Sequence, residues 1–165
     1  MRLLVRHADA GPGRQAPASD QWRGLTALGH AQAQEVAFRL GGMPILRILA
    51  GPALRCRQTV QPLALDLGLD VEQTPHLGAD ADPARTLDLL RQPETENAVL
   101  CTHRETLLGV FGLLAAVGHR LVEGAEPMPT AAAWALYGGP EWPARLRHLP
   151  VPHAPIAQPQ RHEVA

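Results

Sequence analysis

Three short apolar runs constrain this chain more than any other feature. Residues 2–6, residues 45–49 (Ile45-Leu46-Arg47-Ile48-Leu49) and residues 97–102 each have the length of a buried strand, and each is followed by a loop and a segment of helical length. Alternation of this kind predicts an α/β fold of three layers, α/β/α, with a largely parallel central sheet. Each run also ends at reactive groups. The first delivers Arg6-His7, the second leads through Gly51-Pro52 into a helix whose first turn holds Arg55, and the third delivers His103. In a parallel sheet these groups share one edge, where open α/β sheets bind ligands.

The remaining elements follow from caps and breakers. Thr26 caps a helix whose apolar positions are Leu28, Val36, Phe38 and Leu40, stopped by Gly41-Gly42. The helix carrying Arg55 runs to about Leu67 and stops at Gly68, with a short strand expected at 70–73. Asp82-Pro83 begins another helix, which ends near Arg91. An apolar helix is expected over 104–117. Residues 131–137 and 145–149 are expected as edge strands. Residues 1–149 make one domain, and the Pro-rich tail 150–165 is expected to be disordered.

Composition removes several chemistries. The net charge is −1, so no footprint for nucleic acid is expected. All 15 Lys+Arg residues are arginine, which excludes Schiff-base enzymes, pyridoxal phosphate attachment and the Walker-A lysine. Ser19, the sole serine, lies in no G-x-S-x-G context. Cys56 and Cys101 read as buried free thiols, and neither has an Arg six positions later, as a Cys-based phosphatase loop requires. His30, His76, His119, His148, His153 and His162 show no zinc spacing, and no cofactor or metal is expected. The apolar N-terminal stretch is too short for a signal peptide, and the longest apolar run, Leu107 to Val117, is too short to cross a bilayer. A soluble, cytoplasmic protein with no membrane partner is the expectation.

Two guanidiniums and two imidazoles converging on one edge make a pocket suited to a phosphoryl group, whose oxygens the planar forks of Arg can clamp. His7 is the natural nucleophile: a neutral imidazole attacks phosphorus in line, and water then hydrolyses the phosphohistidine. His103, as imidazolium, and Arg6 and Arg55, as guanidiniums, are expected to stabilise the transferred oxygens without a metal. Arg14 and Arg23 are further candidates for phosphate contact.

Leu4-Val5-Arg6-His7-Ala8, Arg55-Cys56-Arg57-Gln58-Thr59 and Cys101-Thr102-His103-Arg104-Glu105 together resemble the Arg-His-Gly, Arg-Ala-x-Gln-Thr and Gly-His elements of the histidine phosphatase superfamily, the phosphoglycerate-mutase-like family. Their order and spacing match along roughly residues 1–118. Residues 20–29 also resemble the segment opening the first helix in its short members, the SixA-type phosphohistidine phosphatases and the phosphatase domains fused to Nudix hydrolases. The resemblance implies a phosphatase acting on a phosphorylated protein or small molecule.

Departures from the pattern are specific. Ala8 stands where most members have Gly, and Arg104 follows the second His where Gly is common, so Arg104 is expected to reach into or narrow the pocket. The acid that protonates the leaving group has no clear counterpart. Asp80, Asp82 and Glu105 are the candidates, although Asp82 also fits a helix cap and Glu105 a capping box with Thr102. Without a positioned acid, phosphohistidine and other good-leaving-group phosphates are the expected substrates. A phosphomutase of the same superfamily and a non-catalytic module that binds phosphorylated ligands are the rival readings.

Overall fold

The structure, a computed structural model, describes residues 1–13, 20–117, 128–138 and 145–149. In chain order the elements are β1 (Arg2–Arg6), α1 (Ala27–Leu40), β2 (Arg47–Ala50), α2 (Leu54–Leu67), β3 (Val71–Gln73), α3 (Pro83–Arg91), β4 (Ala98–Thr102), α4 (Arg104–Ala116), β5 (Ala133–Tyr137) and β6 (Arg145–Leu149). They form one six-stranded sheet of order β3-β2-β4-β1-β5-β6. The β1–β4, β2–β4 and β2–β3 pairs are parallel, whereas β5 runs antiparallel to both β1 and β6. The tail from residue 150 lies outside the described residues.

Alternation along the strands divides the core into two layers. Leu3, Val5, Ile48, Val99 and Cys101 face α1 and α2, packing with Val36, Leu40, Val60 and Leu63. Leu4, Leu49, Leu100 and Trp134 face α3 and α4, packing with Leu87, Leu90, Leu107 and Phe111. Both faces of the sheet are therefore covered by helices, which is why the strands read as continuous apolar runs.

Caps form largely where the side chains predict them. Thr26 accepts from the Gly29 amide at the start of α1, and Asp82 accepts from the Ala84 amide at the start of α3. Gly68 ends α2 with φ 65°, the left-handed conformation that glycine adopts without strain. Three expectations are corrected. Leu28 and Phe38 are exposed, because the small residues Gly29, Ala33 and Ala37 share the buried face of α1 with Val36 and Leu40. β5 is interior, with β6 as the edge strand. No capping box opens α4, since the Thr102 hydroxyl donates instead to the Leu77 carbonyl at 2.9 Å.

The three strands that carry reactive ends are neighbours: β4 lies between β2 and β1. Backbone pairing continues past the strand ends. The His7 amide donates to the Thr102 carbonyl at 2.9 Å, and the Gly51 amide donates to the Cys101 carbonyl at 3.0 Å. Gly51 is required there, because a Cβ would stand 2.2 Å from the Leu77 carbonyl oxygen.

Candidate active site

His7 leaves the end of β1 half-buried. Its Nδ1–H donates to the Ala8 carbonyl at 2.8 Å, which directs Nε2, with its lone pair, away from that bond. Burial lowers its pKa from the ordinary 6.5 to about 3, opposed by the Ala8 carbonyl and assisted by His103, Arg55 and Arg6. The imidazole is thus neutral, with one nitrogen committed and the other available. Ala8 fits without strain: among the described residues only Asn97 and Ala131 are non-glycine residues with positive φ. Its methyl is buried, and its amide donates to Thr59 Oγ1 at 2.9 Å.

The His103 ring meets that of His7 edge to face, with centroids 5.0 Å apart. Arg55 Nη2 lies 3.4 Å from His103 Nδ1, and Cys56 Sγ lies 3.3 Å from His103 Nε2. Arg55 is held in turn by Asp20, through the backbone carbonyl at 2.8 Å and the carboxylate at 3.0 Å. The same carboxylate accepts from Arg23 Nε at 2.7 Å. Hydrogen bonding from Arg23, with the charge of Arg55 beyond it, holds the Asp20 carboxyl below its usual range against the effect of burial.

Two clefts of about 350 and 360 Å³ share Asp20, Arg55, Ala79 and His103. Arg6, His7, Asp9, Arg23 and Glu105 complete the first, and Gln21, Pro52, Ala53 and Asp80 line the second. The expected cationic pocket is thereby modified, since Asp9, Asp20 and Glu105 stand among its guanidiniums. The cleft thus combines the directed N–H donors of its guanidiniums with three carboxylates. The Nε atoms of Arg6 and Arg55 are buried and have no hydrogen-bond partner among the described residues.

The structure sorts the candidate residues. Arg6, His7, Arg23, Arg55 and His103 converge on one cleft, with Glu105 at its lining. Arg23 is engaged with Asp20 and with the Ala10 and Gly11 carbonyls. Asp80 lines only the neighbouring cleft, and Asp82 caps α3 away from both. Arg104 lines neither cleft, although its charge, after burial, lowers the pKa of Arg6, against Glu105 and Asp9. Arg14 lies outside the described residues. Asp9, Asp20, Cys56 and Thr59 are contributors that the sequence pattern left unassigned. Thr59 had a signal, as the last residue of the second motif, and its hydroxyl ties α2 to the His7 loop. No group of three or more His, Cys, Asp or Glu among the described residues is placed to hold a metal ion, and no described helix is long and apolar enough to cross a membrane.

The sequence model of the histidine phosphatase superfamily (branch 1) matches residues 3–78. The 8-oxo-(d)GTP phosphatase of Mycolicibacterium smegmatis is 30% identical over 116 residues, covering 66% of this chain and 35% of that protein. The chain therefore spans about a third of the length of that relative. Among solved structures, SixA from Agrobacterium tumefaciens is 29% identical with a TM-score of 0.67, covering 90% of this chain and 94% of its own. The protein histidine phosphatase SixA complexed with tungstate is 26% identical with a TM-score of 0.61, covering 81% of this chain and 85% of its own.

Proposed function

This chain belongs to the histidine phosphatase superfamily, and from that premise we propose that it is a phosphatase working through a phosphohistidine at His7. One observation carries the reading: the His7 imidazole is neutral, and its Nδ1–H is committed to the Ala8 carbonyl. Nε2 is then the attacking atom. It forms a bond to phosphorus as the bond to the leaving group breaks in line, and the leaving group departs with the electron pair of that bond, taking up a proton that the later attack of water gives back. Water next attacks the phosphohistidine, releasing phosphate and restoring neutral His7.

The guanidiniums of Arg6 and Arg55 line the cleft of His7 and suit the oxygens of such a group. His103 lies against both His7 and Arg55, where charge develops during transfer. These guanidiniums supply the positive charge that a divalent metal provides in other phosphoryl-transfer sites, so the reaction is metal-independent in this proposal. Tungstate, bound by the SixA relative, is an oxyanion of the kind this cleft suits.

Of the three carboxylates considered for proton transfer, Glu105 shares the cleft of His7 and is retained. The substrates of best fit carry phosphoryl on a good leaving group. A protein phosphohistidine and a nucleoside triphosphate both do, and the two relatives are named for such substrates. Rapid quench with a labelled aryl phosphate tests the mechanism. An acid-labile, base-stable phosphoenzyme should form in the presence of EDTA, and trapping the same label on His7→Ala overturns the assignment.

A further inference from the structure

We infer that Cys56 is a positioning residue for His103: its Sγ accepts the imidazole Nε2 proton and so leaves Nδ1, the nitrogen beside Arg55, as the acceptor of the ring. The argument begins with Arg55. A guanidinium has donors only, so the Nη2 that lies 3.4 Å from His103 Nδ1 requires a lone pair there. The ring proton then sits on Nε2, and the atom facing Nε2 is Cys56 Sγ at 3.3 Å. His103 is only 2% exposed, so water is a poor substitute for that acceptor.

Cys56 is suited to accept. Burial opposes its thiolate, yet hydrogen bonding from Cys101 and His103, then the charges of His103 and Arg55, lower its pKa. Cys101 shifts the other way, well above its ordinary value, chiefly by burial and then by Cys56. A buried line thus runs from Cys56 Sγ through the His103 ring to Arg55. The superfamily pattern has Ala at the position of Cys56, and alanine has no atom to accept the proton.

The consequence for rate rests on the proposed reaction; the tautomer does not. With Nε2–H held on Cys56, Nδ1 stays an acceptor for Arg55 Nη2, which keeps that guanidinium in place at the cleft. Without Cys56 the ring can adopt the other tautomer, which points Nδ1–H at Arg55.

¹⁵N NMR of histidine-labelled protein and steady-state kinetics on an aryl phosphate test this together. His103 should appear as the Nε2–H tautomer in wild type and Cys56→Ser, and as a mixture or the Nδ1–H form in Cys56→Ala. Cys56→Ala should lower kcat roughly tenfold with KM changed by less than about twofold, and Cys56→Ser should recover most of the loss. An unchanged tautomer and kcat in folded Cys56→Ala, or equal losses in Ser and Ala, overturns the inference. If Cys56→Ala does not fold, the wild-type spectrum decides: an Nδ1–H His103 is sufficient to reject it. An inactive wild type with the Nε2–H tautomer overturns the proposed reaction and leaves the positioning role standing.

Discussion

His7 is kept ready for attack at a measurable thermodynamic cost. Its pKa falls from the ordinary 6.5 to about 3 on folding, mainly through burial. Between those values the unfolded chain binds a proton that the folded chain refuses, so stability falls as pH falls, by up to about 1.4 kcal/mol per pH unit from this group. Above 6.5 the contribution vanishes, because both states are neutral. Urea unfolding of wild type and His7→Asn at pH 7 and 4.5 checks the sign: the variant should gain on wild type at the lower pH, and parallel curves refute the argument. His7, Arg55 and His103 were legible in the sequence because each sits at or just beyond a strand end, a local pattern. Asp20 and Cys56 were not. Their roles come from contacts with Arg55 and His103 across 35 and 47 residues respectively, and no nearby spacing encodes them.

At the level of elements, α1 does more than cover the sheet. Its cap residue Thr26 donates its amide to the Asp9 carbonyl at 3.0 Å and its hydroxyl to the Asp9 carboxylate at 2.5 Å, so the first turn holds the loop that follows His7. Gly29 makes the approach possible, since a Cβ there would stand 1.9 Å from the Asp9 carbonyl oxygen. Gly29→Ala should therefore destabilise the fold by about 1–3 kcal/mol and reduce kcat, as the helix and the loop are forced apart. Gly112→Ala, in exposed α4 surface with nothing within 4 Å of the new methyl, should instead stabilise by up to about 1 kcal/mol. Thermal melts and aryl phosphate assays of both variants distinguish a clash from a general intolerance of helix substitutions. The ends of α1 were readable from Thr26 and Gly41-Gly42, but its buried face was not. Apolar side chains were the signal, whereas the close packing depends on residues small enough to vanish from that signal.

Across the whole molecule, the three-layer architecture was legible from alternation, and the strand order was not. β4 enters between β1 and β2 although β3 and two α-helices lie between β2 and β4 in the chain, and adjacency at such separation leaves no local mark. This insertion places the reactive backbone in the middle of the sheet, with the His7 amide on the Thr102 carbonyl and the Ala131 amide on the His7 carbonyl. Those amides have no frayed edge through which to open. Deuterium should reach the His7 amide only when the entire domain unfolds, with a protection matching the global unfolding free energy. Native-state exchange across a urea series measures it, and early exchange at His7 contradicts it. With its central backbone held this way, the site should lose activity to heat at the temperature that melts the protein and not before.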